Sequence, residues 1–209
     1  VERMLTLNGN LTTNTNLTLL SSAGGTALVV NNGGVASGAA FVQRYIDGSI
    51  NSGRGYRHLS SPVTGSFVSN LGGATPPTVN PAYNAAANPS AVTPFPTVFT
   101  YEQSRLSSAN ATTSSFDYGW ASPGALTDVL TVGKGYTVNL APQTISFAGT
   151  LFNGPLTLTL PRGTTASAGW HLIGNPYPAP INWDLTTTSG LDQAMYVYRS
   201  TGQYAGGYQ

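Results

Sequence analysis

The residues with the most versatile chemistry in this sequence are two histidines, His58 and His171. Histidine is the usual acid, base and metal ligand near neutral pH. A zinc or iron site would need further His, Cys or carboxylate ligands at convergent spacing, and the sequence contains no Cys and no such cluster. The two histidines also occupy near-equivalent places in two matching stretches, which favours a shared structural role. We therefore predict no metal site and no cofactor.

The carboxylates and other reactive residues offer little more. Glu102 with Asp117 or Asp184 is the pairing that a glycosidase would need across a cleft. Most of the seven acids, however, stand beside turn residues, where Asp ordinarily accepts local backbone hydrogen bonds. No Gly-x-Ser-x-Gly elbow occurs, and Gly133-Lys134-Gly135 is too short to bind phosphate. An isopeptide crosslink from Lys134 to an Asn, as in some surface adhesins, is the remaining alternative to a structural lysine. We expect no catalytic residues and no enzyme.

The aromatic residues are better candidates for binding. The sequence has three tryptophans, Trp120, Trp170 and Trp183, and eleven tyrosines. An exposed aromatic ring packs well on a pyranose, so we name Trp120 as a candidate glycan contact. The structural alternative is that Trp170 and Trp183 pack on the turn Asn175-Pro176-Tyr177-Pro178, which lies between them, and fix this corner.

The composition excludes several classes of partner. Only 7% of the 209 residues are charged, against about a quarter in typical domains, and the net charge is +1. The charges are scattered singly, so no basic stripe is present to bind nucleic acid. No apolar stretch approaches the ~20 residues of a membrane helix, which predicts no membrane insertion. Hydrophobic residues make up 40% of the chain, enough for a folded core in one large or two small domains.

The pattern of apolar residues predicts an all-β fold. Apolar positions alternate along short runs, and clusters of Gly, Pro, Asn and Asp bound these runs. About ten short strands separated by turns are typical of a β-sandwich or jelly roll. We predict strands at Ala27 to Val30, Phe41 to Ile46, Tyr56 to Ser60, Thr97 to Tyr101, Val129 to Val132, Tyr136 to Leu140, Thr144 to Ala148, Leu156 to Leu160, Trp170 to Ile173 and Met195 to Arg199.

The first 38 residues have a repeat of their own. Leu5-Thr6-Leu7, Leu17-Thr18-Leu19 and Leu28-Val29-Val30 recur roughly every dozen residues, each followed by a turn rich in Asn, Ser or Gly. Such a segment is either a small meander or a short β-solenoid, because both bury one strand face per repeat. Its Leu/Thr alternation also suits pairing with the sheet edge of a neighbour. We therefore predict assembly contacts at Leu5, Leu7, Leu17 and Leu19.

The segment from Ala74 to Pro96 holds six of the fourteen prolines and a run of alanines. Such a segment cannot keep a hydrogen-bonded ladder, because proline lacks the backbone donor. We predict a long surface loop at 74–96, either packed as an Ω-loop or mobile.

Two stretches of the chain match one another. Gly55 to Val63 reads GYRHLSSPV and Gly169 to Tyr177 reads GWHLIGNPY. Both run from glycine through an aromatic residue and a strand to a small or polar turn, and an aromatic strand follows each. The match predicts two pseudo-repeated β halves. We accordingly divide the chain into an N-terminal strand segment at 1–38, a first half at 39–140 and a second half at 141–209.

These stretches also carry a family resemblance. The sequence GWHLIGNPYPAPINWD, with GYRHLSSPV, GKGYTVNL and YVYRSTGQY, resembles the β-rich modules of large cell-surface and secreted proteins of Bacteroidetes, many of which are exported by type IX secretion. The resemblance covers roughly residues 41 to 204, and Gly-Asn-Pro-Tyr-Pro is its most specific part. It implies an extracellular or cell-surface, often repetitive and adhesive setting, and it brings no catalytic residues.

Two functions from different classes agree with these observations. The leading hypothesis is an extracellular structural protein, a subunit that assembles with copies of itself into a surface fibre or layer through β-strand contacts. The alternative is a carbohydrate-binding or adhesive module of a larger secreted protein.

Overall fold

The computed structural model describes residues 1–106, 114, 117–192 and 194–209. Within this part of the chain the regular structure consists of β-strands and short 3-10 helices, which confirms a β-rich fold. The 3-10 helices are Val68–Gly72, Pro81–Asn84, Pro89–Ala91, Gln103–Leu106 and Trp183–Leu185. The strands are β1 (Met4–Leu7), β2 (Leu11–Thr12), β3 (Leu17–Leu19), β4 (Ser21–Ser22), β5 (Gly25–Thr26), β6 (Leu28–Asn31), β7 (Ala36–Ser37), β8 (Ala39–Tyr45), β9 (Gly55–Leu59), β10 (Val63–Thr64), β11 (Val98–Tyr101), β12 (Trp120–Ala121), β13 (Tyr136–Leu140), β14 (Thr144–Leu151), β15 (Tyr198–Ser200) and β16 (Gly206–Tyr208).

The first three strands stack on the strands that follow them about two dozen residues later. β1 pairs in parallel with β6, β2 with β7 and β3 with β8. Parallel pairing of three segments in the same order is how successive coils of a β-solenoid stack, whereas the neighbours of a meander are antiparallel. We call β1 to β3 the first coil and β6 to β8 the second coil. The short antiparallel pair β4 and β5 lies between them.

The sequence explains why these coils stack closely. The turn of the second coil lies directly against the turn of the first, and a Cβ on Gly34 would collide with the backbone carbonyl oxygen of Gly9. Only glycine permits this approach. Beside it, the Asn32 side-chain amide donates a hydrogen bond of 2.9 Å to the Asn8 side-chain oxygen. The Asn and Gly residues that read as simple turn formers in the sequence therefore also hold one coil on the next.

Two four-stranded sheets form the rest of the framework. One has the order β10-β14-β8-β3 and the other the order β12-β11-β13-β9. Side chains from both sheets and from the two coils meet in one hydrophobic cluster, which includes the fully buried Leu19, Val138 and Phe147. β14 lies beyond the predicted boundary at residues 140–141, yet it pairs with β8 over seven residues of the first half. The sheet therefore runs across that boundary.

Three of the predicted strands are not strands in the described structure, and two of them lie between residues 152 and 197. In the described residues of that region Leu156 to Leu160 and Trp170 to Ile173 form no strand, and Ile173 makes one isolated bridge, to Lys134. Pro155 and Pro161 bracket the first of these runs and remove backbone donors at both ends. Val129 to Val132 is also not a strand, and Val129 makes only an isolated bridge to Phe67. These three strand predictions were wrong.

The proline-rich segment 74–96 is packed rather than extended into solvent. It contains two of the 3-10 helices, and Tyr83 within it is fully buried. The Tyr83 hydroxyl donates a hydrogen bond of 2.7 Å to Asp117, which also accepts one of 2.8 Å from Ser90. Burial would raise the pKa of Asp117, but hydrogen bonds from Ser114, Tyr83 and Ser90 outweigh it and hold this pKa below its usual range. The ionised carboxylate thus fastens the loop to the fold.

Among the described residues, no helix reaches the length and apolarity of a membrane span.

Candidate interface at the open end of the coil stack

The two ends of the coil stack differ in what covers them. At the end formed by the second coil, β8 pairs with β14. The backbone amide of Val29 in β6 donates a hydrogen bond of 2.9 Å to the Pro178 carbonyl. The carbonyl of Ala36 in β7 accepts a bond of 3.4 Å from the Asn153 side chain. Each strand of the second coil therefore has a partner on its outer side, and this end is closed.

The other end, formed by the first coil, is largely uncovered. The carbonyls of Arg3, just before β1, and of Leu7, at its end, accept hydrogen bonds from the second coil. The alternate residues Met4 and Thr6 of β1 therefore direct their backbone groups away from it. Thr12 of β2 does the same, because its neighbours donate to the second coil. Among the described strands, none pairs with these outward edges of β1 and β2. They present unpaired donors and acceptors, as the edge of a sheet does.

The outward edge of β3 is already hydrogen-bonded to one residue, Val1. The amino group of Val1 donates a bond of 2.7 Å to the Thr18 carbonyl, and the Leu20 amide donates one of 2.8 Å to the Val1 carbonyl. Val1 is thus bonded to the residues before and after Leu19. This is the hydrogen-bond pattern of a parallel sheet, in which Val1 and Leu19 lie side by side. The edge of the first coil therefore already holds one residue of a parallel strand.

Three leucines line the inside of the first coil at this end. Leu5, Leu11 and Leu17 are half-buried and pack against the core, and they keep partial exposure because no further coil lies over them. Leu7 and Leu19 are only 3% and 0% exposed, so they stabilise this chain's own core. We define the open end as the outward edges of β1, β2 and β3 together with Leu5, Leu11 and Leu17.

The four predicted contact residues lie in two different settings. The structure brings Leu5 and Leu17 to the open end and buries Leu7 and Leu19. Leu11 was missed because its strand reads Leu-Thr-Thr rather than Leu-Thr-Leu. A spacing of six residues from Leu5 to Leu11 and from Leu11 to Leu17 was the signal that could have identified it.

The candidate glycan residue Trp120 lies in a different part of the molecule. It is half-buried in β12, with its ring perpendicular to Tyr101 at 5.3 Å between centroids and 6.2 Å from His58. His58 stacks on Tyr198 at 4.8 Å, and burial lowers the pKa of His58 to about 4. Trp120 is thus one member of an aromatic cluster between a sheet and the hairpin β15–β16. Glycan binding through it stays a prediction from the sequence.

The other tryptophans do not form a flat platform together with Trp120 in the contacts described. Trp170 is 60% exposed and meets Tyr196 edge-on at 5.5 Å. Trp183 is half-buried in the 3-10 helix Trp183–Leu185.

Two of the residues with reactive chemistry, Lys134 and Glu102, are engaged in structural contacts. Lys134 forms an ion pair of 2.5 Å with Glu102, which also accepts a bond of 2.9 Å from the Thr100 hydroxyl. No group of three or more potential metal ligands occurs within the described part of the chain. A cavity of about 200 Å³ at the closed end is lined by uncharged residues, among them Val29, Phe152 and Tyr177.

Comparisons with family models, with curated proteins and with solved structures gave no match.

Proposed function

We propose that this chain is an extracellular structural protein that becomes part of a surface fibre or layer through β-strand contacts at its open end. The observation that carries the proposal is the asymmetry of the coil stack, because one end is sealed by the chain's own residues and the other presents unpaired backbone groups. Stacked repeats need a cover at both ends for solubility. A neighbouring β-structure supplies the cover that this chain lacks.

The surface chemistry supports an assembly role. Only 7% of the residues are charged, so little electrostatic repulsion opposes close contact. Large apolar side chains are also exposed near the C-terminal end, including Leu185 at 81% and Tyr204 at 78%. As part of the same proposal, we interpret the two four-stranded sheets and their common core as a β-sandwich that serves as a scaffold.

Proline at an outward position of β1 tests the proposal. Thr6→Pro removes a backbone donor that faces the open end and leaves the bonds to β6 in place. We expect the variant to keep its melting temperature within a few degrees and to associate at least about tenfold more weakly than the intact chain, measured by light scattering and electron microscopy. Thr6→Ser is the matched control, because it keeps the amide. Unchanged association in Thr6→Pro, or no association of the intact chain, would contradict the proposal.

A further inference from the structure

We infer that the open end is the docking site for one more parallel β-coil, about eighteen residues long, whose last strand leads into Val1. This inference rests on the proposed function, since it names the structure that adds to the open end. It specifies the direction of the added strands, their register and the side chains they carry.

The hydrogen bonds of Val1 fix the direction and the register. Val1 lies in parallel alignment with Leu19, which comes eighteen residues later in the chain. In the second coil the residue stacked on Leu19 is Val42. Val1, Leu19 and Val42 therefore occupy the same place in three successive layers. A strand ending at Val1 continues along the outward edge of β3 and brings the rest of its coil over β1 and β2.

The inner face of the open end defines the side chains of the incoming coil. Leu5, Leu11 and Leu17 follow one another at a spacing of six residues and are each left half-buried. A coil of eighteen residues places three inward apolar residues at the same spacing over them. Covering these leucines removes apolar surface from water, which favours stacking by about 25 cal/mol for each Å² buried.

The turn of the first coil adds a polar signature. Asn8 accepts a hydrogen bond from Asn32 of the second coil through its side-chain oxygen, while its amide nitrogen has no hydrogen bond among the described residues. That nitrogen can donate to the side-chain oxygen of an Asn at the equivalent place in the incoming coil. The stacked amides then form a ladder of three. A Cβ on Gly9 would meet nothing within 4 Å, so the space in which the incoming turn would lie is open, whereas Gly34 already packs on the first coil.

A second copy of the folded chain can pair with this edge but cannot continue the parallel stack. Two identical edges related by a two-fold axis run antiparallel and would close into a pair rather than continue a parallel stack. The second coil of another copy is covered by its own β14, Pro178 and Asn153. The occupant that matches the register is a coil of the same polypeptide that precedes Val1.

The experiment lengthens the chain by the predicted coil. A copy of residues 1–18 is fused ahead of Val1, so that Val1 follows the copied Thr18 as Leu19 follows Thr18 in the first coil. We expect backbone amides of Met4, Thr6 and Thr12 to exchange with deuterium at least about tenfold more slowly than in the original chain. We also expect a higher melting temperature and weaker self-association.

Two controls make the result specific. In the first, the three copied leucines that correspond to Leu5, Leu11 and Leu17 are replaced by serine. In the second, one glycine is inserted between the copy and Val1, which shifts the side-chain alternation by one residue. Both controls should lose the added amide protection.

Equal protection in the controls, or no protection in the fused coil, overturns the inference. So does slow exchange of the same amides in the original chain at a concentration where it is monomeric, because the edge would then already be covered. If Thr6→Pro weakens association while the fused coil gives no protection, the coil inference fails and the proposed function stands. If neither change has an effect, both fail.

Discussion

The stretches Gly55 to Val63 and Gly169 to Tyr177 have matching sequences and different structures. The first contains β9, which forms five residue pairs with β13. The second makes a single bridge, between Ile173 and Lys134, just before β13 begins. The two stretches also touch, because the Ser60 hydroxyl donates a bond of 3.0 Å to the Asn175 carbonyl. The two stretches thus meet near the start of β13, and the first pairs with the whole length of this strand.

This difference shows that a sequence suited to a strand needs an available partner edge. Aromatic and β-branched residues favour a strand only where they can pack and pair. β13 is bonded to β9 on one side and β11 on the other. The second stretch is therefore left with irregular structure, and its ring Trp170 is exposed where the equivalent Tyr56 is buried.

The largest expected effect comes from removing the two equivalent aromatic rings. Tyr56 is 7% exposed and packs near Phe99 and Tyr204, at 6.2 and 6.4 Å between ring centroids. Tyr56→Ala should lower the free energy of unfolding by about 3–4 kcal/mol, because it leaves a cavity in a packed cluster. Trp170→Ala should cost less than about 1 kcal/mol. Urea denaturation measures both, and similar losses would show that the second stretch is as well packed as the first.

The two histidines, which occupy near-equivalent places in the two stretches, allow a test by the pH dependence of stability. Burial lowers the pKa of His58 from 6.5 to about 4. Between these values the unfolded chain binds a proton that the folded chain does not, so the free energy of unfolding falls as pH decreases from about 6.5 to about 4. The loss is up to about 3 kcal/mol.

The variant His58→Leu should remove this pH dependence, and the matched variant His171→Leu should leave it in place. Thermal unfolding measured at intervals between pH 7 and pH 4 tests both. The prediction fails if His171→Leu removes the pH dependence and His58→Leu does not.

The smallest expected difference concerns the two leading glycines. A Cβ on Gly55 would collide with the side chains of Ser200 and Asn51 and lie 2.7 Å from the Gly202 carbonyl oxygen. Gly169 has more room but a φ of +111°, which strains any other residue. We expect Gly55→Ala to cost about 2–3 kcal/mol and Gly169→Ala about 1 kcal/mol. Differential scanning calorimetry can rank them, and a reversed order would contradict the assigned packing.

The sequence predicts individual strands of this fold better than their partners. Tyr136 to Leu140 was predicted with the bounds that β13 has, and Ala27 to Val30 lies within one residue of β6. Alternation and turn residues suffice for these because they are local. The repeat of Leu-Thr-Leu units left meander and solenoid open, since the choice depends on pairing across about two dozen residues. The resemblance to Bacteroidetes surface modules stays a prediction.

The candidate interface was predictable only in part for the same reason. Leu5, Leu7, Leu17 and Leu19 are alike in sequence, but an end layer and a core layer differ only after the coils have stacked. Likewise Leu156 to Leu160 alternates as a strand should, yet Leu156 and Leu158 pack on Gly133 rather than along a ladder. Which layer, edge or neighbour a residue receives is decided by tertiary contacts that no local pattern encodes.

The double membership of β8 has a mechanical consequence. This strand is both the last strand of the second coil and a central strand of a four-stranded sheet, where it is bonded to β3 and to β14. A pull applied to the coils therefore reaches the sheet through continuous backbone, without a flexible linker between them. The seven residue pairs between β8 and β14 would carry that load in parallel and resist sliding together. In the proposed fibre, coils and scaffold would therefore share tension through one continuous strand.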